Sequence, residues 1–273
     1  MRIRKNDAIR DRIKLFFILL LVLLVLASIA KFEKTMTTKT ATIEYLLKTA
    51  LEPVGSTMYV WGGGWDDTDN ASGTTSTQIG LRPEWKEFAS VQNADYDYKK
   101  HRFQREKGLD CSGYVGWVLY NTFESEDGQP GYVTTSTKLA ESLAERGWGT
   151  LIADPEEFLP GDIVSMEGHV WICLGTCEDG SILLVHSSPP GVSVCGTDSK
   201  EEKSIAVMLA EEYMKICYPA WQEKYPSRQV GNNYIENVQV FRWNENTMSD
   251  AKEWQKLNGE KVLERISGFN EFP

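Results

Sequence analysis

The sequence predicts an α+β fold in which helices pack on an antiparallel sheet. Apolar residues recur at helical spacing in the first half of the chain, in segments 42–51, 111–123 and 136–146. Short β-rich runs bounded by turn residues follow one another in the second half. Helices followed by a run of neighbouring strands are typical of the α+β class. The composition, 41% hydrophobic and 25% charged, suits a globular domain that can bury a core.

The first thirty residues predict a membrane segment. Residues 1–14 hold six Lys/Arg and two Asp, so they carry +4; because the whole chain carries −10, the rest carries −14. Residues 15–30 are uncharged and rich in leucine, and as a helix they cover about 24 Å against a hydrocarbon core near 30 Å. We favour an uncleaved signal anchor with the N-terminus in the cytoplasm. A signal peptide cut after Ala30 is the alternative.

The elements up to residue 107 follow in order. A polar, Thr-rich linker covers 31–41, a helix covers 42–51, and Met58–Trp61 form a short strand. The glycines at 62–64 lack the Gly-Lys-Ser/Thr continuation of a phosphate loop. Residues 65–107 show weak periodicity, which predicts a long surface insertion. We expect this insertion to pack beside a cleft of the domain and to restrict what can enter it.

The second half of the chain is dominated by predicted strands. An amphipathic helix interrupts them at Ser199–Glu223, and a charged helix ends the chain at Ser249–Ile266. We therefore expect one domain over 42–246 and a helical tail over 247–273. The predicted strands are Asp162–Met166, His169–Leu174, Ser181–His186 and Asn237–Trp243.

Cys111 stands at the start of a predicted helix, in KGLDCSGYVGWVLYNTF, and Asp110 before it is a plausible N-cap. The partial positive charge at a helix N-terminus lowers the pKa of a thiol, and a neighbouring imidazolium lowers it further. This position predicts a thiolate nucleophile, with Ser112 and Gly113 leaving room for a substrate. Taken alone, a cysteine is more often a buried core residue, so the partners decide.

Only three histidines are present. His101 lies in the charged run KKHRFQREK, which predicts a solvated surface residue. His169 begins one predicted strand and His186 ends the next, so a hairpin would bring both to the same end. A cysteine at a helix start, a histidine base and a second residue that orients the base form the thiol version of a catalytic triad.

These residues together resemble the NlpC family of papain-like cell-wall cysteine peptidases. The resemblance spans residues 58–188 and rests on four stretches in the family's order. They are MYVWGGG, LDCSGYVGWV, TTSTKLAESLAERG, and LPGDIVSMEGHVWICLG with LLVHSS. The longer insertion 65–107 and the segment 199–223 depart from the family's pattern.

The resemblance implies a papain-like fold and a role for each site residue. Cys111 corresponds to the nucleophile, His169 to the general base and His186 to the residue that orients the base. Tyr59 is implied to reach the thiol. Asp110, Ser112 and Ser136 match positions that line the pocket for the free amino end of the substrate's stem peptide.

The expected function is hydrolysis of peptidoglycan stem peptides, at the bond between D-γ-glutamate and a diamino acid. The catalytic domain is expected outside a bacterial cell membrane, or secreted if the leader is cleaved. A non-catalytic wall-binding or scaffold module and an amidase or transpeptidase on the same fold are the alternatives.

No cofactor, metal or nucleic-acid partner is expected. The chain lacks the basic surface of a nucleic-acid binder. His169, Cys173 and Cys177 are too spread along a strand to converge on zinc. Disulfide pairing among the four remaining cysteines stays open, and these are Cys173, Cys177, Cys195 and Cys217.

Overall fold

The computed structural model describes residues 41–66, 68, 71–123, 132–198 and 203–268. The predicted basic segment 1–14, the membrane segment 15–30 and the linker up to residue 40 lie outside these residues. No helix among the described residues has the length and apolar content needed to cross a bilayer. The described part begins at Ala41, which is already buried and bonded through its carbonyl to Ser249.

Helices and strands alternate along the first half of the chain, and strands prevail in the second. The α-helices are α1 (Ile43–Leu51), α2 (Pro83–Ser90), α3 (Cys111–Phe123), α4 (Leu139–Glu145), α5 (Ile205–Cys217), α6 (Pro219–Lys224) and α7 (Gly259–Ser267). The strands are β1 (Met58–Tyr59), β2 (Trp65–Asp66), β3 (Ala71–Ser72), β4 (Gly108–Leu109), β5 (Gly149–Ala153), β6 (Ile163–Met166), β7 (His169–Thr176), β8 (Ile182–Ser188), β9 (Gly191–Thr197), β10 (Gln229–Val230) and β11 (Gln239–Trp243).

One curled sheet holds most of the strands, in the order β4-β1-β9-β8-β7-β6-β11-β5, with β10 also paired to β9. Its neighbours are antiparallel except for the parallel pairs β1–β4 and β9–β10. Helices α1, α3, α5 and α7 bury their apolar faces against one side of the sheet. A smaller cluster around Trp171 and Leu184 covers the other side. The predicted α+β class with helices on an antiparallel sheet is confirmed.

Local sequence signals explain the elements that sequence analysis found. Helix α1 starts where the Thr42 hydroxyl accepts a hydrogen bond from the Tyr45 N–H at 3.1 Å, as an N-cap residue should. Its buried residues Ile43, Leu46, Leu47 and Ala50 recur at helical spacing. The four predicted strands of the second half are present within one or two residues of their expected bounds, as β6, β7, β8 and β11.

The predicted helix Ser199–Glu223 is wrong as a single element. The first helix, α5, begins only at Ile205, where the Ser204 hydroxyl caps the Val207 N–H. It stops at Cys217 because Pro219 follows: proline has no N–H to donate, and its ring clashes with the preceding turn. Pro219 instead opens the separate helix α6.

The predicted helix Ser249–Ile266 is also too long. Helix α7 starts at Gly259, where Asn258 caps the Lys261 N–H at 2.9 Å. Residues Trp254–Lys256 form one turn of 3-10 helix, and Trp254 is buried. Val262 and Leu263 of α7 belong to the same core as the sheet. The segment 247–268 is therefore packed on the domain.

The insertion 65–107 is only partly a surface excursion. It contains the small hairpin β2–β3 and helix α2. Trp85 of α2 is only 1% exposed and meets Trp117 of α3 edge to face, with ring centroids 6.0 Å apart. The insertion therefore contributes to the core, which its weak periodicity did not reveal.

A buried ion pair fixes the sheet where the sequence reads Pro-Gly-Asp. The side chain of Asp162 is fully buried and receives two hydrogen bonds from Arg242 of β11, at 3.0 and 2.7 Å. The Leu159 N–H adds a third at 2.8 Å. This bidentate geometry satisfies a carboxylate that would be costly to bury alone. Asp162 of this motif thus holds β11 against the start of β6.

Replacing Arg242 by methionine should destabilise the domain by about 3–5 kcal/mol, because it leaves the Asp162 carboxylate buried without a counter-charge. Urea unfolding followed by circular dichroism measures the loss. The double variant Asp162→Asn/Arg242→Met should recover much of it, because no buried charge remains. A loss below about 1 kcal/mol in the single variant would contradict this account of the pair.

Candidate active site

The two histidines of the β7–β8 hairpin lie side by side, as the sequence predicted. His169 Nε2 and His186 Nδ1 are 3.0 Å apart, and the rings meet edge to face. Side chains alternate between the two faces of a strand, so His169 lies on the same face as Trp171, and His186 on the same face as Leu184. Because Trp171 and Leu184 belong to one hydrophobic cluster, the two histidines lie on the same face of the sheet. Because its Nε2 is held by His186, His169 presents Nδ1 as its free ring nitrogen.

The N-terminus of α3 lies near the end of this hairpin that carries the two histidines. The last paired residues at that end are Ile172 and Val185. On the β7 side, the backbone N–H of Val170 is close enough to the Cys111 sulphur to lower the pKa of the thiol. On the β8 side, the buried Ser187 hydroxyl donates to the Leu109 carbonyl at 2.7 Å. Cys111 is therefore held beside the residues that follow His169 and His186 in the chain.

The Asp110 carboxylate joins helix α3 to the glycine loop. One oxygen accepts from the Gly113 N–H at 2.7 Å and the Ser112 hydroxyl at 3.1 Å, which confirms the predicted N-cap. The other accepts from the Gly62 N–H at 3.1 Å. The Asp110 N–H in turn donates to the Gly63 carbonyl at 3.0 Å. These bonds fix the first turn of α3 against the loop that follows β1.

The sequence suggested that Gly113 leaves room for a substrate, but the structure shows that it does not. A Cβ atom at this position would lie 2.0 Å from the Gly63 carbonyl oxygen, so the glycine permits backbone contact between α3 and the loop. Ser112 is likewise buried and uses its hydroxyl to bind Asp110. Both residues therefore stabilise the first turn of α3 through contacts inside the protein.

Tyr59 is placed beside Cys111 by strand pairing. In the parallel pair β1–β4, Tyr59 is the partner of Leu109, two residues before Cys111. Burial raises the pKa of the Tyr59 phenol well above its usual range, and the neighbouring Cys111 and Asp110 raise it further. The phenol therefore stays protonated and can donate a hydrogen bond next to the thiol.

The end of the insertion packs against Tyr59. The Tyr96 hydroxyl donates to the Tyr59 carbonyl at 2.8 Å, and the Tyr98 ring meets the Tyr59 ring edge to face at 5.3 Å. His101, expected as a solvated surface residue, is only partly exposed and stacks on Tyr96 with centroids 5.5 Å apart. The insertion thus adjoins the candidate site, and its effect on substrate choice stays a prediction.

Ser136 precedes helix α4 and lies beside strands β6 and β7. It begins a turn of 3-10 helix, Ser136–Lys138, in which Ser136 is partly buried and the other two residues are exposed. Its neighbour Thr137 accepts from the Gly168 N–H at 3.4 Å, directly before His169. Ser136 is therefore brought to the histidine side of the site.

The thiol is not held as a resting thiolate, contrary to the sequence-based expectation. Burial raises the pKa of Cys111 to about 12, and the Asp110 charge contributes to the rise. The backbone N–H groups of Ser112, Val170 and Cys111 itself oppose it. With its side chain only 7% exposed, Cys111 loses more from desolvation than the helix N-terminus supplies.

Burial shifts the pKa values of the surrounding groups towards their neutral forms, although Asp110 stays mostly ionised at neutral pH. Burial lowers the pKa of His169 to about 4. Burial also lowers the pKa of His186 well below its usual range, and the nearby His169 and Arg228 lower it further. Burial raises the pKa of Asp110 to about 6 against the opposing effect of its hydrogen bonds. The geometry therefore favours a neutral thiol beside a neutral imidazole.

Two residues near the histidines had no signal in the sequence. The Tyr234 ring packs on His169 and His186 with centroids 5.3 and 5.6 Å away. Arg228 is buried behind His186 and influences its protonation. Both lie in the irregular segment between α6 and β11, where no periodicity predicts which side chains turn inward.

Among the remaining cysteines, Cys195 lines the space beside His186. All five cysteines of the chain are free thiols. Cys173 and Cys177 pack in different hydrophobic clusters. Within the described ranges, no group of three or more His, Cys, Asp or Glu side chains is arranged to hold a metal ion.

Comparison of the chain with protein-family models, with curated proteins and with solved structures gives no match. The candidate site therefore depends on its own geometry.

Asp110→Asn should make Cys111 more reactive towards iodoacetamide. The substitution removes the negative charge that raises the thiol pKa, while the side-chain oxygen can still cap Gly113. Each unit by which the pKa falls gives about threefold faster alkylation, since the gain in thiolate is partly offset by lower nucleophilicity. Peptide-mapped labelling at pH 7 measures the rate, with the other four cysteines as internal controls. Unchanged or slower labelling of Cys111 in a folded variant would contradict the electrostatic role of Asp110.

Proposed function

We propose that this protein is a cysteine peptidase in which Cys111, His169 and His186 form the catalytic triad. The observation that carries the proposal is the position of Cys111 at the start of α3, next to the Val170 N–H, one residue after His169, whose ring is hydrogen-bonded to His186. A nucleophile, a base and an orienting residue on separate elements are what acyl transfer by a thiol requires. The resemblance to the NlpC family, with its papain-like fold, points to the same roles.

The reaction begins with a neutral thiol. His169 Nδ1 takes the thiol proton while Cys111 Sγ attacks the scissile carbonyl carbon, so charge separates only as the bond forms. His186 holds His169 through Nε2, which leaves Nδ1 to take and return the proton. His169 then gives its proton to the departing amine, which leaves a thioester. Water attacks the thioester, His169 takes a proton from the water, and the carboxylic acid product and the thiol are released.

The negative oxygen of the tetrahedral intermediate needs donors close to Cys111. Backbone N–H groups at the start of α3 point into this region, and the helix dipole favours negative charge there. The protonated Tyr59 phenol lies beside the thiol and adds a side-chain donor. These groups stabilise the charge that develops during attack and are fixed before the substrate arrives.

Asp110 couples substrate binding to activation of the thiol. In the proposed mode, the free amino end of a stem peptide binds Asp110 in a pocket that Ser112 and Ser136 also line, as the resemblance implies. An ammonium group there neutralises the charge that raises the pKa of Cys111. The thiol therefore becomes more acidic when the substrate is bound, which suits an enzyme whose free thiol is protonated.

The proposed substrate is a peptidoglycan stem peptide, cut between D-γ-glutamate and a diamino acid. This assignment comes from the resemblance alone. Residues 15–30 are proposed to anchor the protein in a bacterial cell membrane with residues 31–273 outside, the alternative being secretion after cleavage at Ala30. No cofactor takes part in the proposed reaction.

One observation favours the alternative of a non-catalytic wall-binding or scaffold module. A thiol that is 7% exposed with a pKa near 12 is unreactive by itself. The two functions differ in whether a substrate activates Cys111. An amidase or transpeptidase would share the acyl-enzyme and differ in the group that resolves it.

Full-length protein in detergent should release cleaved stem peptides from purified peptidoglycan, as shown by mass spectrometry of the muropeptides. Cys111→Ala should abolish cleavage, and His169→Ala should slow it by about 10²–10⁴-fold, the range supplied by a general base. His186→Gln should lose less, because glutamine can still bond His169. Equal urea midpoints would serve as the folding control. Intact muropeptides with folded wild-type protein would reject the peptidase and leave the binding module.

The pH profile of kcat/KM should show two acid inflections. One lies near pH 6, because below it Asp110 becomes protonated and loses its attraction for the substrate's amino group. The other lies near pH 4, where His169 becomes protonated and cannot accept the thiol proton. Asp110→Asn should remove only the first. A single limb near pH 6.5 that persists in Asp110→Asn would show that His169 titrates at its ordinary pKa.

A further inference from the structure

A cavity of about 630 Å³ opens on the histidine face of the sheet, next to the candidate triad. His186 lines it directly, together with Tyr234 and the residues that follow α6. The insertion closes one side, where Tyr96 lines the cavity. Two bonds join these walls: Lys224 Nζ donates to the Gln92 carbonyl at 2.8 Å, and the Tyr225 hydroxyl donates to the Asn93 carbonyl at 2.8 Å.

Arg228 supplies a buried positive charge to this cavity. The residue lines the cavity although it is only 2% exposed. The guanidinium donates to the Gln222 side-chain oxygen at 2.7 Å and to the Tyr225 carbonyl, and it lies beside the Cys195 thiol. All three partners are uncharged side chains or backbone.

Among the residues that the structure describes, Arg228 has no carboxylate partner. Glu211 attracts it from a distance and is itself paired with Lys203. A guanidinium taken out of water without a counter-charge carries a large desolvation cost. A position of this kind is stabilised when an anion occupies the adjacent space.

Lys224 adds a second cation with neutral partners. Its ammonium group binds only backbone carbonyls among the described residues, at Gln92 and, less closely, at Ser90. No described Asp or Glu lines the cavity. The chain as a whole has 39 acidic and 29 basic residues, so an acid-free cavity with two cations departs from the general charge of the protein.

We propose that this cavity is a subsite in which Arg228 binds a carboxylate group of the peptide substrate beside His186. The inference rests on the proposed function and extends it to a substrate that carries an acidic group near the scissile bond. The planar fork of arginine suits a carboxylate, which can accept two hydrogen bonds from it. The cavity is large enough for a side chain or a chain end as well as its solvent.

Binding of a carboxylate there would also assist the chemistry. Arg228 repels a proton on the histidine pair, and that proton arrives when His169 takes it from Cys111. An anion beside Arg228 weakens this repulsion. The subsite would therefore favour acidic substrates both in binding and in the proton transfer that follows.

The test uses full-length Cys111→Ala protein, so that binding is measured without turnover. Glutarate, a small dicarboxylate, is titrated calorimetrically, and the uncharged glutaramide is the control ligand. Glutarate should bind and raise the melting temperature, because it binds the folded state only. Glutaramide should do neither. Failure of glutarate to bind would overturn the subsite whatever the variants do.

Arg228→Met in the same background should weaken glutarate binding at least tenfold, and Arg228→Lys should give an intermediate loss. Arg265→Met, at an exposed arginine of α7, is the matched control and should bind like its parent. Equal glutarate affinity in folded Arg228→Met would overturn the proposal. If Arg228→Met does not fold, Arg228→Lys and Lys224→Met decide, and unchanged affinity in both rejects the subsite.

A measurement of KM distinguishes this inference from the proposed function. In otherwise wild-type enzyme, a peptide with a free carboxylate next to the scissile bond should have a KM at least tenfold below that of its carboxamide, and Arg228→Lys should reduce the ratio. Arg228-dependent glutarate binding without any cleavage would keep the subsite and reject the peptidase. Cleavage of both peptides with equal KM values for the carboxylate and the carboxamide would keep the peptidase and reject the subsite.

Discussion

The candidate site depends on one buried carboxylate, Asp110. It caps helix α3 and binds the glycine loop through Gly62, while its own N–H binds Gly63. Because the loop continues from β1, the same bonds set Tyr59 beside Cys111. A carboxylate that accepts several backbone hydrogen bonds fixes geometry more firmly than a solvated one. It also sets the charge beside the thiol, so structure and reactivity share one origin.

The charge state of the free site follows from burial. The helix N-terminus and three N–H groups favour a thiolate at Cys111, but desolvation and Asp110 outweigh them. The histidine pair is neutral for the same reason, since an imidazolium is also costly in a buried site. The proton therefore has to move during the attack, and the substrate itself has to supply part of the activation.

Two segments outside the family resemblance build the surroundings of this centre. The insertion 65–107 contributes Tyr96 and Tyr98 against Tyr59, and the segment after α6 contributes Arg228 and Tyr234 against His186. The walls are joined by hydrogen bonds from Lys224 and Tyr225 to the end of α2 and beyond. A change in either segment should therefore alter the cavity without moving the triad.

The sequence by itself determined the α+β class, the helix at Cys111 with its Asp110 cap, and the hairpin that pairs His169 with His186. These features depend on local periodicity and capping, and a strand repeat of two residues fixes which side chains share a face. Sequence reasoning failed where an element's end depended on a breaker or a cap, as at Pro219 and Asn258.

Only the tertiary structure decided the protonation of Cys111, the burial of Trp85 and the position of Arg228 next to His186. Each depends on contacts between residues far apart in the chain. The pKa of a thiol follows from how much water the whole fold removes and which charges it leaves nearby. No periodicity carries that information, since Asp110, Val170 and Arg228 influence the site from three separate elements and meet only in the folded chain.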